Sequence, residues 1–247
     1  MNDSPFKTFG QQVLITLIAG LVCGGSLLAG VARADDDKAT PSGRSAGGRG
    51  CSTASQPLPT EVPALILLTP NQQPGQTAST RPSFAWFVRD AAAVPLEFRL
   101  YERQQNNRFK LVTEIKGDRF KSSPGIMVLS LGDIATELTV GKRYRWQVEL
   151  VCNPGRPSGN LFAESEFEVV SLQPALKTQL DHAQDPLAQA NLFAQADLWY
   201  DALETTLGPM SHQTQLQHLR LSLLRQVSTN TVEQQLLQNS TIHPIQK

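Results

Sequence analysis

The chain has 247 residues, of which 40% are hydrophobic, and 22 basic side chains balance 22 acidic ones. The formal net charge is therefore zero, and no basic stripe provides the electrostatic footprint of a nucleic-acid-binding protein. The length is sufficient for one larger domain with an appendage.

The N-terminal segment is typical of an export signal. Lys7 provides a short positive start, residues 13–22 form an apolar centre, and residues 32–34 (Ala-Arg-Ala) place small side chains where signal peptidase cleaves. We therefore predict that residues 1–34 are a signal peptide, that the mature protein is periplasmic or secreted, and that it keeps no stable membrane span. The alternative is a retained membrane anchor, which the glycines in the run and the cleavage motif disfavour.

Residues 35–60 are poor in apolar side chains and rich in Gly, Ser and Arg. A segment of this composition buries too little surface to fold alone, so we predict a flexible arm. Two interpretations of Arg44 and Arg49 stay open: they contact an anionic lipid or polysaccharide, or they belong to a solvated linker that ends in a tethering cysteine.

From residue 61 to residue 172, apolar and polar side chains alternate with the period of a β-strand. Turn-forming residues separate the alternating runs, which are 84–88, 96–101, 111–115, 126–131, 144–152 and 162–170. Short strands at this spacing predict an immunoglobulin- or fibronectin-III-like antiparallel β-sandwich. Together with the helical region that follows, the fold class is α+β.

The run 144–152 places large apolar side chains on one face, among them Tyr144 and Trp146, with Cys152 at its end. We predict that this face points into the core. Tyr144 follows a turn, at the position where sandwich folds place a tyrosine whose hydroxyl bonds back to the preceding corner. The alternative role for Tyr144 and Trp146 is an aromatic platform for a ligand.

Residues 173–247 are predicted to form a small helical region. The first helix starts with a cap and a first-turn proline and covers 185–202. The second covers 216–227, and the third begins at Asn230, with Glu233 three residues later as in a capping box.

Residues 193–203 are similar to one tetratricopeptide-type unit. Such repeats stack on neighbours, so a single unit is weak support for a peptide-binding groove. Trp199 and Tyr200 within it are candidate partner contacts if both rings are exposed. In the alternative, one of them packs against the sandwich and locks the two parts together.

The chain has three cysteines, and removal of the signal leaves Cys51 and Cys152. An exported protein meets an oxidising compartment, so we predict that these two pair as a disulfide. Two free thiols are the alternative.

Several segments occur in the same order as in one known family, namely 43–51, 81–86, 124–126, 130–131, 141–146, 152–154 and 198–203. The chain resembles the exported cyanobacterial family known as domain of unknown function 928. The resemblance implies one cysteine after the Gly/Arg arm and one after the aromatic strand, in agreement with the predicted pair. It implies no activity, because the family has none assigned.

No catalytic or metal-binding motif stands out in the sequence. Ser158 lies in a Gly/Pro-rich loop, and two carboxylate pairs share a face at the spacing of surface acids, Asp197 with Asp201 and Glu164 with Glu166. The histidines lack metal-ligand spacing and are predicted to be surface residues: His182, His212, His218 and His243.

We therefore predict a protein without cofactor or enzymatic activity, acting as a binding or interaction module of the cell envelope. Its partner would be an unknown protein or an envelope polysaccharide, not nucleic acid. Two alternatives remain: an envelope hydrolase with an irregular carboxylate or serine site, and a structural surface protein whose arm binds anionic glycan.

Overall fold

Nine β-strands and five α-helices occur in the part of the chain that this computed structural model describes, residues 43–45, 50–51, 62–71, 73–134, 136–208 and 214–245. The predicted signal peptide, Arg49 and His212 lie outside these ranges. The strands are β1 (Leu65–Leu67), β2 (Gly75–Thr77), β3 (Ser83–Val88), β4 (Leu96–Arg103), β5 (Phe109–Ile115), β6 (Gly125–Ser130), β7 (Arg143–Leu150), β8 (Leu161–Val169) and β9 (Ile242–Pro244). The helices are α1 (Pro174–His182), α2 (Pro186–Gln195), α3 (Trp199–Leu207), α4 (Thr214–Val227) and α5 (Thr231–Gln238).

The strands form two mixed sheets, with the orders β1-β3-β6-β9 and β2-β8-β7-β4-β5. Aromatic rings join the sheets across the interior, since the Phe84 ring on β3 lies 4.8 Å from Trp146 on β7 and 5.3 Å from Phe167 on β8. The two sheets therefore pack face to face, and the predicted α+β class with a sandwich followed by helices is confirmed.

The prediction of a purely antiparallel sandwich is wrong at two places. Strand β2 runs parallel to β8, and β9 runs parallel to β6. Strands of three residues are too short for side-chain alternation to predict, and no hairpin sets their direction because they join their sheets from distant parts of the chain. The C-terminal region is therefore not helical throughout, since residues 242–244 return to the sandwich as β9.

The predicted inward face of β7 is confirmed. Tyr144 is 2% exposed and Trp146 is fully buried. The backbone N–H of Thr139 donates a hydrogen bond of 2.9 Å to the Tyr144 hydroxyl, so the predicted bond back to the corner is present. Both rings serve the core and present no platform for a ligand.

The helix predicted over 185–202 is two helices, α2 and α3. Asp185 caps the first as expected, with its carboxylate accepting from the Ala188 N–H at 3.2 Å. The break lies at Asp197, which has a φ of 57°, a left-handed conformation that a continuous helix does not admit. The predicted third helix is α5, and Asn230 caps it by accepting from the Glu233 N–H at 2.9 Å.

The expectation of a flexible arm does not hold at residues 43–45. The Leu67 N–H donates to Gly43 O at 2.7 Å and the Ser45 N–H donates to Leu65 O at 3.0 Å, so this segment lies against β1 as an additional bridge. The predicted disulfide is confirmed, with the Cα atoms of Cys51 and Cys152 separated by 4.9 Å. The segment is thus attached to the sandwich at both described stretches.

In the described ranges, every helix is too short or too polar to span a lipid bilayer.

Candidate functional site

A cleft of about 280 Å³ lies at the seam between the sandwich and the helices. It opens where the loop between β1 and β2 meets the turn between α2 and α3 and the C-terminal half of α4. We call it the seam cleft. Its walls combine apolar side chains, amide side chains and one carboxylate, and the lining residues are Pro70, Gln73, Pro74, Gly75, Gln76, Ala194, Asp197, Trp199, Leu223 and Gln226.

The floor of the seam cleft is buried and its rim is exposed. Trp199 and Leu223 at the floor are 5% and 3% exposed, whereas Gln73, Asp197 and Gln226 are solvent-exposed. The indole N–H of Trp199 donates to Leu68 O at 3.3 Å, which holds the ring edge at the base of the cleft. A floor that is fixed before binding is the usual form of a ligand site.

Two local features shape this cleft. Asp197 takes the left-handed conformation that ends α2, and the Leu198 N–H then donates to Phe193 O at 3.0 Å, so the chain turns sharply into α3. At Gly75 a Cβ atom would lie 2.7 Å from Cε2 of Tyr200, so only glycine lets the loop approach α3 this closely. The loop wall and the helix wall therefore face each other across a short gap.

The ring of Tyr200 points away from the cleft into the shared core. It is fully buried, and its hydroxyl lies 3.0 Å from the Trp146 indole nitrogen and 3.3 Å from Oγ1 of Thr69. Thr69 extends the network to Oγ of Ser165 at 3.1 Å. Burial raises the pKa of Tyr200 to about 12, so the phenol stays protonated.

The two predicted partner-contact residues, Trp199 and Tyr200, therefore have different roles. Tyr200 is wrong as a contact residue because it is inaccessible, and it plays the alternative role of locking α3 to the sandwich. Trp199 is also buried and forms no exposed aromatic patch, but its ring lines the seam cleft. Local sequence could not separate the two, since adjacent helical residues point about 100° apart in directions that only the packing decides.

Asp197 and Asp201 do not form the expected pair on one helix. Asp197 lies in the turn, whereas Asp201 is 8% exposed on α3 and accepts from the Ala78 N–H at 3.0 Å. Burial raises the pKa of Asp201 to about 6. One helical turn later, Glu204 accepts from the Ser83 hydroxyl at 2.8 Å, and burial raises its pKa as well.

These two acids attach α3 to the connection between β2 and β3 and to the first residue of β3. The Ala78 N–H in the connection donates to Asp201 and the Ser83 hydroxyl on β3 donates to Glu204, which accounts for the burial of both carboxylates. The spacing of Glu204 gives no signal in the sequence, because a carboxylate three residues from another on a helix is common on solvated faces. Its burial follows from the docking of α3 alone.

The second predicted acid pair lies on the outer face of the larger sheet. Arg145 bridges Glu164 at 3.1 Å and Glu166 at 2.9 Å, and Arg103 adds a second bridge to Glu166 at 3.2 Å. Nearby, Arg99 contacts three further glutamates in the same manner. Both carboxylates are therefore held by arginine side chains on the outer face of the sheet.

Arg44 is not available to a glycan. Its side chain is 3% exposed, its guanidinium pairs with Glu233 at 3.0 Å, and it donates to the Val227 carbonyl and to Oδ1 of Asn71. The predicted contact of Arg44 with an anionic surface is therefore wrong. The cation instead joins the N-terminal segment, the β1–β2 loop and the two C-terminal helices.

The remaining candidates form no site in the described part of the chain. Ser158 is exposed, as are His182 and His218, and His243 on β9 bonds to the Pro124 carbonyl at 2.9 Å. No group of three or more His, Cys, Asp or Glu residues that could hold a metal ion occurs within those residues. The sequence gives no signal for the cleft at Gln73, because residues 71–75 carry only the pattern of a turn.

Comparison with known proteins gives one result on family and none on activity. No curated protein and no solved structure matches the chain significantly. A family profile described as Domain of Unknown Function (DUF928) matches residues 44–237, which include both halves of the seam cleft. The chain therefore belongs to the DUF928 family.

Proposed function

We propose that this protein is an exported, non-catalytic binding protein of the cell envelope and that the seam cleft is its ligand site. The observation that carries the proposal is the cleft itself, which has a buried floor at Trp199 and an exposed polar rim. Clefts with mostly preformed walls and a few placed polar groups are the usual binding sites of proteins.

Export is supported by the disulfide and by the N-terminal pattern. Cys51 and Cys152 are joined, and stable disulfides persist in oxidising compartments rather than in the cytosol. The apolar run 13–22 followed by Ala-Arg-Ala at 32–34 supplies an export signal of the expected form. The periplasm and the cell exterior both satisfy these conditions.

Binding without catalysis is supported by the composition of the cleft. Asp197 is the only acid among the described lining residues, and no lining residue is Ser, Cys, His or Lys. Glycoside hydrolysis uses two carboxyl groups, one on each side of the scissile bond, and acyl transfer uses an activated nucleophile. The buried acids Asp201 and Glu204 accept hydrogen bonds from Ala78 and from Ser83, outside the cleft.

We further propose that the sandwich is a divergent immunoglobulin-like domain. Its sheet orders and the bond from Thr139 to Tyr144 support this assignment. In such sandwiches, a tyrosine at the corner before a strand bonds through its hydroxyl to the backbone a few residues upstream. Mutual packing of α2, α3 and α4 supports the proposal of a tetratricopeptide-like hairpin with one further helix. In that arrangement the sandwich is the frame and the helices form one wall of the ligand site.

The proposal is tested by ligand-induced thermal stabilisation. A ligand present at 100 times its Kd adds about 2.7 kcal/mol to the stability of the folded state. Among glycan and peptide fractions of the envelope, at least one should contain a ligand that raises the Tm of the purified protein. Gln226→Trp fills the rim of the cleft and should abolish the rise.

The matched control is Gln215→Trp, because Gln215 is also an exposed glutamine on α4, about three turns from Gln226. It should leave the rise intact. An equal rise in both variants, or no rise with any fraction, would contradict the proposed site. The mass of the bound ligand should be unchanged after incubation, since a product of lower mass would identify a hydrolase instead.

A further inference from the structure

We infer that the seam cleft binds an uncharged sugar residue of a glycan, an inference that rests on the proposed function. Three features of the lining carry it: the charge, the hydrogen-bonding groups and the apolar surfaces.

The charge of the lining disfavours anionic ligands. Asp197 contributes a negative charge at the exposed rim, and none of the described lining residues is Lys, Arg or His. Arg44 reaches Asn71 on the same loop, but it is buried and its charge is matched by Glu233. A phosphate, sulfate or uronate would therefore meet a carboxylate without a compensating cation.

The polar groups of the rim suit neighbouring hydroxyl groups. Gln73, Gln76 and Gln226 each present an amide that both donates and accepts hydrogen bonds, and Asp197 presents oxygens that accept. A sugar hydroxyl also donates and accepts, so a pair of adjacent hydroxyls can satisfy one amide in both directions. Amides that can bond to a pair of hydroxyls therefore lie on both sides of the cleft, Gln73 and Gln76 on one side and Gln226 of α4 on the other.

The apolar part of the lining suits the carbon face of a sugar ring. Pro70, Pro74, Leu223 and the ring of Trp199 provide surfaces without hydrogen-bonding demands beside the amides. The volume of about 280 Å³ lies just below the usual range for drug-sized ligands, so the cleft accommodates one small ring rather than a long segment.

An extended peptide is the competing ligand, and the surroundings of the cleft disfavour it. Peptides commonly bind by adding a strand to a free sheet edge. The adjacent edge strand is β2, but α3 packs against it, Tyr200 covers Gly75, and the Ala78 N–H is already bonded to Asp201. The cleft therefore lacks the long open backbone that would recognise a peptide.

The test compares ligand classes on the full mature protein by NMR. The probes are neutral oligosaccharides of hexoses, deoxyhexoses, pentoses and N-acetylhexosamines, uronate oligosaccharides of equal length, and a neutral proline-rich peptide. We expect a neutral oligosaccharide to shift the indole signal of Trp199 saturably, with no comparable shift from the uronates or the peptide. The signal is assigned by its loss in Trp199→Phe.

Two variants and one control test which side chains of the cleft recognise the sugar. Gln226→Ala should weaken binding by about tenfold, the effect of losing a hydrogen-bond pair, while Gln215→Ala should leave it unchanged. Asp197→Asn retains a residue that tolerates the left-handed conformation and removes the charge. It should raise the affinity for uronates relative to the neutral sugars by about tenfold.

Tighter binding of uronates than of neutral sugars by the unaltered protein would overturn the inference, and so would binding of the peptide alone. Failure of every oligosaccharide would also overturn it, while the stabilisation by an envelope fraction described above would leave the proposed function standing. If neither the fractions nor the pure probes bind, the proposed function itself is wrong.

Discussion

The indole N–H of Trp146 on β7 donates a hydrogen bond of 3.0 Å to the hydroxyl of Tyr200 on α3. This contact joins two side chains that are 54 residues apart and fully buried. It connects the interior of the sandwich with the helix whose first residue, Trp199, forms the floor of the seam cleft. The geometry of the cleft therefore depends on the docking of α3.

Removal of the Tyr200 hydroxyl should destabilise the protein. Tyr200→Phe leaves the Trp146 N–H buried without this acceptor, and an unsatisfied buried donor costs about 1–3 kcal/mol. The loss should be visible as a lower urea midpoint. Tyr101→Phe, at a partly exposed position on β4, is the matched control and should cost less than about 0.5 kcal/mol. Equal costs in the two variants would show that the buried network contributes nothing.

The disulfide should contribute strongly to stability and should form in the exported protein. Cys51 and Cys152 close a loop with a sequence separation of 101. The chain-entropy model assigns about 4.7 kcal/mol to a loop of 100 residues, so the double Cys→Ser variant should lose up to that amount. Urea unfolding measures the loss, and the reduced natural protein should match the variant. Alkylation of both thiols without reductant would contradict the pairing.

The stability should fall as the pH rises through the range in which Asp201 loses its proton. Burial raises the pKa of Asp201 to about 6, so the folded state binds this proton more tightly than the unfolded state does. The protonated carboxyl therefore contributes to the stability of the folded state below about pH 4, and this contribution is lost as the pH rises through about 6. Linkage converts the difference in pKa to about 2–3 kcal/mol.

Asp201→Asn isolates this contribution. The unfolding free energy of the natural protein minus that of the variant should fall by about 2–3 kcal/mol as the pH rises from about 4 through about 6, and it should stay constant above that range. Glu204, whose pKa is also raised by burial, retains its own contribution to the pH dependence of stability in the variant. The exposed Asp118 provides the matched Asp-to-Asn control. A difference that does not change with pH would disprove the assigned burial cost.

Breaking the Arg44–Glu233 ion pair should lower the free energy of unfolding far more than breaking an exposed pair does. Arg44→Met leaves the carboxylate of Glu233 buried without its cation, which costs about 3–5 kcal/mol. Arg81 and Glu137 form an exposed pair at 3.6 Å, so Arg81→Met should cost less than about 1 kcal/mol. Urea midpoints of the two variants give the comparison.

A second step separates the pair from the packing around it. Replacing both residues, as Arg44→Met with Glu233→Leu, should recover most of the loss because no unpaired charge remains buried. A double variant as unstable as Arg44→Met alone would assign the loss to the hydrogen bonds of Arg44 with Asn71 and Val227 instead.

Side-chain periodicity predicted the long strands well. The alternating runs correspond to β3–β8 within a few residues. The pattern is clearest in β4, β7 and β8, where one face of the strand lies in the core and the local period of two records this directly. The corner bond of Tyr144 and the caps at Asp185 and Asn230 were also predictable, since partners two to five residues apart are set by local backbone geometry.

The sequence by itself thus determined the alternating strands, the starts of α2 and α5, the cysteine pair and the absence of a recognisable catalytic motif. Only the tertiary structure decided the parallel edges at β2 and β9, the burial of Arg44 against a residue 189 positions away, and the assembly of the seam cleft from residues of the 70s, 190s and 220s. The physical reason is that periodicity reports which face of an element is buried, whereas contacts between distant segments depend on which buried faces meet when the chain folds.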